Sequence, residues 1–356
     1  MDAPTKNRIR LVDIASEAGV SVPTVDRVLN KRGKVKPETA RHILRIVEQL
    51  QYVPNGNASR LAKSSVVSFC AALPDSKAEF FGKLEREFDR QRKRFLQQGI
   101  TISFRTFEDR DPHAVVRFFA ETAPLFDGVA VIAMDHPLVL EAVGRYCASG
   151  GRVVCMVSDL ARSSRHAFVG IDNRSAGKTA ASLIGRFSRI TTGKVAVFSG
   201  PLQQMDHQER VLGFRSVLAQ DFPGLRICEV NDHVLTDDDY YRVTARVLNE
   251  CRDVCGIYDS GSELGPIIQA IAESGRKDEI VLVGHELTDN TRVFLANGSA
   301  DAILNQNTEF IVDRTLNTLG ALCSNEFSSD QVQQLAPVEV YLRDNLPARE
   351  STTLSR

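Results

Sequence analysis

The segment from Leu11 to Leu29 constrains the fold of this chain more than any other feature of the sequence. Ile14, Ala15 and Ala18 share one face of a helix. Gly19 follows them, and glycine is the residue that most readily leaves a helix at positive φ. The segment therefore predicts a short helix that ends in a tight turn.

A second short helix is predicted directly after this turn. Ser21 is a good N-cap, and Pro23 falls in the first turn, where its missing N–H costs little. Val25, Val28 and Leu29 are then placed to pack back on the first helix. Two helices in this arrangement are typical of a DNA-binding helix-turn-helix, although an ordinary helical hairpin has the same pattern.

The distribution of charge favours DNA binding by the N-terminal end. Residues 1–65 contain twelve Lys and Arg against six Asp and Glu, whereas the 356-residue chain as a whole has a net charge of −1. Lys31, Arg32, Lys34 and Lys36 crowd the loop after the second helix, where they can contact phosphates. A third helix is predicted from Pro37 to about Leu50. Its apolar stripe comprises Ile43, Leu44, Ile46, Val47 and Leu50.

Residues 52–62 read Tyr-Val-Pro-Asn-Gly-Asn-Ala-Ser-Arg-Leu-Ala. Val53 to Gly56 would break the preceding helix, and the remainder is too short for a stable isolated helix. With this pattern, and over 11–346, the chain resembles the lac-repressor (LacI/GalR) family of bacterial transcription regulators. The resemblance implies a hinge helix that orders on operator DNA, with Leu61 as a wedge in the minor groove. Linker packing is the alternative role for Leu61.

The resemblance also implies which residues contact DNA. Val22 and Pro23 fall at the family's base-contacting positions, and because they lack hydrogen-bond donors they can read a base only by apolar contact. Arg27 falls at the position of a near-invariant Arg. The full predicted DNA-binding set is Ser21, Val22, Pro23, Thr24, Arg27, Asn30, Lys34, Thr39, Asn55, Ala58 and Leu61.

Residues 66–346 are too many for one ordinary core and predict two lobes. Short apolar runs alternate with amphipathic stretches, which predicts parallel sheets with helices on both faces. The predicted strands are Val66–Ala72, Thr101–Thr106, Gly128–Ala133, Arg152–Met156, Lys194–Ser199, Arg226–Val230, Gly256–Asp259, Ile280–Gly284, Ala302–Asn305 and Val338–Leu342. The predicted helices are Phe81–Gln98, His113–Thr122, Val139–Ser149, Arg174–Ser188, Glu209–Gln220, Tyr240–Glu250, Gly265–Ser274 and Phe310–Leu322.

The expected fold class is an N-terminal all-α helix-turn-helix unit plus hinge helix, followed by an α/β two-lobed periplasmic-binding-protein-like body with two doubly wound parallel sheets. The expected domains are 1–50, a hinge at 51–65, the body at 66–346 and a tail at 347–356. The family resemblance implies three crossings between lobes, which we place near 172, 300 and 335. The first lobe would then hold 66–171 and 300–334, and the second 172–299 and 335–346.

Ligands of doubly wound sheets bind outside the carboxyl ends of the strands. The residues at those ends form an aromatic pair, several carboxylates, an Arg and an amide, a set that suits a polyhydroxylated ligand. The family resemblance implies ligand contacts for Arg210, Asp259, Glu286 and Gln306, whereas Asp172 is expected to have a structural role. The predicted ligand-binding residues are Phe80, Phe81, Asp135, Asp159, Arg210, Asp259, Glu286 and Gln306.

Several classes of protein are disfavoured by what the sequence lacks. It contains no Gly-x-Gly-x-x-Gly, no phosphate-binding Gly-Lys-Ser/Thr loop and no Gly-x-Ser-x-Gly elbow, so an enzyme is a distant alternative. The seven scattered cysteines complete no zinc pattern, so no metal and no cofactor are expected. The polar start and the short apolar runs predict a cytoplasmic protein without a membrane span, and argue against a secreted sugar-binding protein.

The sequence therefore predicts a DNA-binding transcription regulator, expected to be a repressor, whose operator affinity is controlled by a sugar or polyol between the lobes. A purine-like, sugar-acid or sugar-phosphate effector is the alternative. A homodimer is expected, with Leu84 and Phe88 near the contact between first lobes. Whether the ligand releases or promotes DNA binding stays open.

Overall fold

The computed structural model describes residues 11–29, 35–50, 66–108, 110–199, 204–230, 236–261, 264–324 and 326–348. The chain divides into two compact units, Met1–Ser64 and Ser65–Arg356. The smaller unit contains α1 (Leu11–Glu17), α2 (Val22–Leu29) and α3 (Pro37–Gln49).

The three helices of the smaller unit enclose a small apolar core, as predicted. Ile14, Val25 and Ile43 are fully buried at its centre. Val28, Val47 and Leu50 pack around them. Leu44, however, is 51% exposed, so its assignment to the apolar stripe was wrong. It lies one residue beyond Ile43, which rotates its side chain about 100° away from the core.

The larger unit has two six-stranded sheets and nine further α-helices among its described residues. The strands are β1 (Val67–Asp75), β2 (Ile100–Glu108), β3 (Gly128–Val131), β4 (Val153–Met156), β5 (Ala167–Ile171), β6 (Gly193–Phe198), β7 (Leu225–Glu229), β8 (Val254–Asp259), β9 (Val281–His285), β10 (Ala302–Asn305), β11 (Gln333–Ala336) and β12 (Glu339–Tyr341). The helices are α4 (Glu79–Leu96), α5 (Pro112–Arg117), α6 (Pro137–Ala148), α7 (Asn173–Phe187), α8 (Met205–Asp221), α9 (Asp237–Glu250), α10 (Leu264–Ser274), α11 (Asp289–Ala296) and α12 (Thr308–Ser324).

Each sheet is the centre of one lobe. The first has the strand order β11-β5-β4-β3-β1-β2, and the second has the order β12-β10-β9-β8-β6-β7. All pairings are parallel except β10–β12, which is antiparallel. Apolar clusters cover both faces of each sheet, which is the doubly wound architecture that the alternating pattern predicted.

The chain passes between the lobes at three places. The first lies between Ile171 and Asn173, where the Asp172 carboxylate caps α7 by accepting a hydrogen bond from the N–H of Ser175 at 2.9 Å. The second lies after β10, because β10 pairs with β9 and β12 in the second sheet. The expected return near 300 is therefore too early. The third lies between β11 and β12.

Leu84 and Phe88 do not lie on a surface. Both are fully buried in the core of the first lobe, on the inner face of α4. The expectation that they form part of a dimer contact is therefore wrong, because their i, i+4 spacing turns both side chains toward the same sheet. No helix among the described residues is long and apolar enough to cross a membrane.

Candidate DNA-binding surface and ligand cleft

The turn between α1 and α2 has the geometry that the sequence predicted. Gly19 has φ +64°, and the N–H of Val20 donates to the carbonyl of Ala15 at 3.0 Å. This bond closes the end of α1 in the manner of a Schellman motif. Ser21 and Thr24 are joined by a side-chain hydrogen bond of 2.9 Å at the start of α2.

One side of α2 is open to solvent while its other side packs in the core. Ser21, Val22, Pro23 and Arg27 are exposed, and Thr24 is half-buried. Thr39, near the start of α3, is also half-buried. These predicted DNA-binding residues are therefore available on the surface. The others lie outside the described residues: Asn30, Lys34, Asn55, Ala58 and Leu61.

A cavity of about 890 Å³ lies between the two lobes of the larger unit. The first lobe lines it with residues 75–81 and Arg110. The second lobe lines it mainly with His207, residues 236–238, Gly261 and the start of α11. Phe80 and Phe81, two of the predicted ligand residues, belong to this lining and pack edge to face with ring centroids 5.7 Å apart.

Four of the predicted ligand residues form a buried polar cluster in the second lobe. We call the side chains of Arg210, Asp259, Glu286 and Gln306 the polar cluster. The Arg210 guanidinium donates to Asn173 Oδ1 at 2.9 Å and to the carbonyl of Ser260 at 2.8 Å. Its Nη2 lies 3.7 Å from Glu286 Oε1, which accepts a hydrogen bond from Gln306 Nε2 at 2.7 Å. All four side chains are nearly inaccessible to solvent.

The polar cluster lies directly behind the wall of the cavity. Ser260 connects the two, because its carbonyl binds Arg210 and its hydroxyl lies 3.5 Å from Nδ1 of His207. His207 and Gly261 are themselves part of the lining. The Asp259 carboxylate accepts from the N–H of Gly261 at 3.1 Å. The polar cluster and the cavity wall are thus joined through Ser260 and Gly261.

Several polar atoms in and beside the polar cluster lack a hydrogen-bond partner among the described residues. Arg210 Nη2, Gln306 Oε1, His285 Nδ1 and Asp206 Oδ1 are all buried in this state. Leaving a buried donor or acceptor unpaired costs about 1–3 kcal/mol. A ligand that forms hydrogen bonds with these four atoms would therefore stabilise this region.

Burial changes the ionisation of the groups around the polar cluster. It raises the pKa of Glu286 above its usual value, while Arg210 and the hydrogen bond from Gln306 act in the opposite direction. It lowers the pKa of His207 and holds that of His285 well below 6.5. His285 Nε2 lies 2.9 Å from the Tyr258 hydroxyl. Both histidines are therefore neutral at physiological pH, which leaves Arg210 as the cation of the polar cluster.

Two glycines hold Arg210 in position. A Cβ on Gly177 would lie 1.8 Å from the carbonyl oxygen of Arg210, and one on Gly213 would lie 2.0 Å from that of Arg174. Helices α7 and α8 thus touch backbone to backbone. This contact places Arg210 beside Asn173, the first residue of α7.

The remaining two predicted ligand residues have partners in the first lobe. Both oxygens of Asp159 are bound by the Arg165 guanidinium, one of them at 2.7 Å. Asp135 Oδ2 accepts from Arg162 at 2.8 Å, and Asp135 Oδ1 is buried without a partner among the described residues. Neither carboxylate lines the cavity, which is also true of the four members of the polar cluster. A role of Asp135 or Asp159 in ligand binding stays a prediction.

Sequence reasoning missed several residues that line the cavity. Strand β1 ends at Asp75, three residues beyond the predicted Ala72. The prediction therefore did not place the following loop, which carries Lys77, at the carboxyl end of the strand. Three of the described residues other than glycine have a positive φ. Arg110, in the cavity lining, has φ +65°. Val157, beside the interlobe crossing, has φ +63°, and Glu286 of the polar cluster has φ +67°. Strained backbone of this kind is common at functional sites, but the sequence gives no signal of it.

The described residues contain no group of three or more His, Cys, Asp or Glu side chains arranged to hold a metal ion.

Comparisons with known proteins match both units. Residues 10–55 match the family of bacterial regulatory proteins, lacI family, and residues 70–326 match the periplasmic binding protein domain. Catabolite control protein A of Streptococcus mutans is 22% identical over 98% of this chain and 99% of that protein. The HTH-type transcriptional regulator CelR of Thermobifida fusca is 24% identical over 97% of this chain and 99% of its own length.

The larger unit also resembles solved structures. The glucose-galactose binding protein GanP of Geobacillus stearothermophilus superimposes with a TM-score of 0.73, at 18% identity, over 80% of this chain and all of that one. A solute binding protein of Burkholderia graminis in complex with D-arabinose gives a TM-score of 0.71 at 20% identity. The match covers 79% of this chain and 98% of that one. At these identities the likeness shows the two-lobed fold.

Proposed function

Because this chain belongs to the lacI family of bacterial regulatory proteins and carries a periplasmic-binding-protein domain, we propose that it is a repressor whose effector is a neutral sugar or polyol. That it is a ligand-controlled transcription regulator follows from the two domains and their relatives. The observation that carries the proposed effector is the buried polar cluster with unpaired atoms behind a cavity between the lobes.

A polyhydroxylated ligand matches the unpaired atoms. Each sugar hydroxyl both donates and accepts a hydrogen bond. Arg210 Nη2 offers a donor, while Gln306 Oε1 and Asp206 Oδ1 offer acceptors. Phe81 supplies an apolar surface on the first-lobe side, against which the C–H face of a sugar ring can pack. The structural relatives that bind glucose, galactose or arabinose support the same class of ligand.

The charges around the cavity disfavour an anionic effector. Its lining includes four carboxylates and two cations. The carboxylates belong to Asp75, Glu79, Asp237 and Asp238, and the cations to Lys77 and Arg110. This excess of negative charge disfavours a phosphate or carboxylate on the ligand, although modestly, because Asp75, Asp237 and Asp238 are exposed to solvent and therefore screened. We therefore place sugar acids and sugar phosphates behind neutral sugars.

Hydrogen bonds across the cleft offer a route from ligand to lobe movement. Lys83 Nζ on α4 donates to the carbonyl of Leu287 at 3.3 Å, and Glu79 Oε1 accepts from the N–H of Asp289 at 2.9 Å. Leu287 directly follows Glu286 of the polar cluster. A ligand that binds this closed arrangement more tightly than an open one shifts the population toward it. Typical couplings of this kind amount to about 1–3 kcal/mol.

We propose that the smaller unit delivers this change to DNA in the cytoplasm as part of a homodimer. The exposed side of α2 would enter the major groove, with Arg27 and Thr39 near the backbone. Two copies would meet half-sites about 34 Å apart. The hinge residues Asn55, Ala58 and Leu61 would lie in the minor groove between them.

The direct test is a thermal-shift screen of the full chain against neutral sugars, polyols, sugar acids, sugar phosphates and nucleobases. A true ligand at 100 times its dissociation constant adds about 2.7 kcal/mol of stability. We expect a hit among neutral sugars or polyols, lost in an Arg210→Ala variant. A hit only among nucleobases would replace the sugar by a purine-like effector. Saturating ligand should then change the affinity for an operator duplex selected from a random library, and an unchanged affinity would contradict the regulatory coupling.

A further inference from the structure

Two cysteines of the second lobe lie side by side, away from the polar cluster. The Sγ atoms of Cys228 and Cys251 are 3.9 Å apart, which is van der Waals contact. Cys228 lies on β7, the edge strand of the second sheet, and Cys251 directly follows α9. Both thiols are half-buried, so a small oxidant can reach them. Neither has a part in the proposed effector site.

Backbone hydrogen bonds hold both cysteines in place. Cys228 is paired with Ala196 across β6 and β7. The Arg276 guanidinium donates to the carbonyls of Cys251 at 3.4 Å and Val254 at 2.7 Å, which fixes the chain just after α9. Because both backbones are anchored, the two thiols stay neighbours. A disulfide requires the two sulfur atoms to move from 3.9 Å to about 2.0 Å apart.

The pair encloses a segment that lines the effector cavity. Between the two cysteines the chain contributes Thr236, Asp237, Asp238 and Tyr240 to the cavity wall. A covalent link between Cys228 and Cys251 would close this segment into a loop of about two dozen residues. Oxidation of the pair would thus restrict one wall of the cavity.

We propose that Cys228 and Cys251 form a reversible intramolecular disulfide when hydrogen peroxide oxidises the protein. One thiolate attacks a peroxide oxygen, which breaks the O–O bond, gives a sulfenic acid and releases one water after proton uptake. The second thiol displaces the sulfenic oxygen as another water and forms the S–S bond. The sum is two thiols and one peroxide converted to one disulfide and two waters, and a dithiol reductant reverses it.

The surroundings make this a slow, selective reaction. Burial and the neighbouring Cys251 raise the pKa of Cys228, whereas Lys194 lowers it. Lys194 is paired with Asp253 at 3.2 Å, so its effect on the thiol is limited. A small thiolate fraction slows the first attack, and the adjacent second thiol then captures the sulfenic acid before further oxidation.

The experiment compares reduced and peroxide-treated full-length protein. After alkylation and digestion, we expect a cross-linked peptide pair that contains Cys228 and Cys251 and disappears on treatment with dithiothreitol. The oxidised protein should melt at a temperature higher by roughly 5 °C, because the unfolded chain is constrained. Hydrogen exchange of the amides in 236–250 should slow several-fold, since openings of this segment become restricted.

Matched variants separate the pair from the other thiols. Cys228→Ser and Cys251→Ser should each abolish the cross-link and the slower exchange, while Cys147→Ser, at another half-buried position, should keep both. Sulfinic acid or intermolecular disulfides at Cys228, in place of the internal link, would overturn the proposal. So would a cross-link that forms but leaves hydrogen exchange in 236–250 unchanged.

Discussion

Asp159 in the first lobe and the polar cluster in the second lobe differ in how fully their buried polar atoms are paired. Asp159 has both oxygens bound by Arg165, whereas Asp135 in the same lobe is bound by Arg162 through Oδ2 and keeps Oδ1 without a partner among the described residues. In the second lobe, Arg210 and Gln306 each keep an atom without a hydrogen-bond partner among the described residues, although both are more deeply buried. A satisfied ion pair needs nothing further, whereas an unsatisfied group pays a desolvation cost that a ligand can relieve. We therefore expect Asp159 to have a structural role and the polar cluster to contact the proposed ligand.

The largest effect is expected from Arg210→Ala. The variant removes the free donor and the charge that balances Glu286, so the affinity for the hit of the screen should fall about 100-fold or more, as expected for the loss of charge-assisted hydrogen bonds. Isothermal titration calorimetry measures it. Arg210→Lys keeps the charge without the planar fork and should give an intermediate loss. Binding by Arg210→Ala at wild-type affinity would remove the polar cluster from the site.

An effect of similar size, but on stability, is expected from Gly177→Ala. The new Cβ would meet the carbonyl of Arg210 at 1.8 Å and push α7 and α8 apart. We expect a loss of about 3 kcal/mol in the free energy of unfolding, measured in urea, and weaker ligand binding.

Gly320→Ala is the matched control for Gly177→Ala. Gly320 lies in α12, and its Cβ would meet no heavy atom within 4 Å. Alanine there should stabilise the protein by up to about 1 kcal/mol through helix propensity. Equal behaviour of the two variants would show that the close contact between α7 and α8 does not hold Arg210.

The dependence of stability on pH should reveal the buried neutral histidines of the second lobe. The pKa of His285 lies well below 6.5 in the folded protein, so the unfolded chain binds a proton first as the pH falls. The stability present above pH 6.5 is therefore lost below it, by about 1.4 kcal/mol per pH unit for one histidine.

The difference between wild type and His285→Gln isolates this contribution. Urea titrations between pH 7 and pH 5 should give a shallower slope for the variant, by about one proton. The raised pKa of Glu286 acts with the opposite sign but is common to both proteins, so it cancels to first order. Equal slopes would mean that His285 is not the group that resists protonation.

The smallest effect on ligand binding is expected from Asp159→Asn. The change breaks the ion pair with Arg165 and should cost about 2 kcal/mol of stability, because both side chains are largely buried. The ligand dissociation constant should change less than about twofold. Both oxygens of Asp159 already accept hydrogen bonds from Arg165, and Asp159 does not line the cavity, so it has no free acceptor to offer the ligand. A loss of ten-fold or more would place Asp159 in the site and remove its contrast with the polar cluster.

Local pattern predicted most of the fold. The strands at the centres of both sheets are continuous apolar runs, as expected for parallel strands that are buried on both faces. Three elements were missed for physical reasons. Strand β11 is an edge strand with exposed polar positions, and β5 lies in a short run that contains Gly170. Helix α11 has eight residues, too few for a clear helical period.

The candidate site was predicted only in part, because partners distant in sequence decide it. Asp135 and Glu286 look alike as carboxylates that follow a strand. Their difference depends on Arg162, 27 residues from Asp135, and on Gln306, 20 residues from Glu286. The unpaired atoms also emerge only once the chain is folded. Local sequence could locate the edge of the sheet but could not assign each side chain its partner.

The contact between Gly177 and Gly213 also bears on how this protein can be re-engineered. Since backbone contacts hold the position of Arg210, we expect it to stay in place when lining side chains far from it are varied. Randomising Asp75, Lys77, Asp238 and Asn290 would alter the shape and charge of the chamber around a constant anchor. The scaffold therefore suits the construction of genetically encoded biosensors, in which the recognition of a new analyte must evolve while the output stays intact.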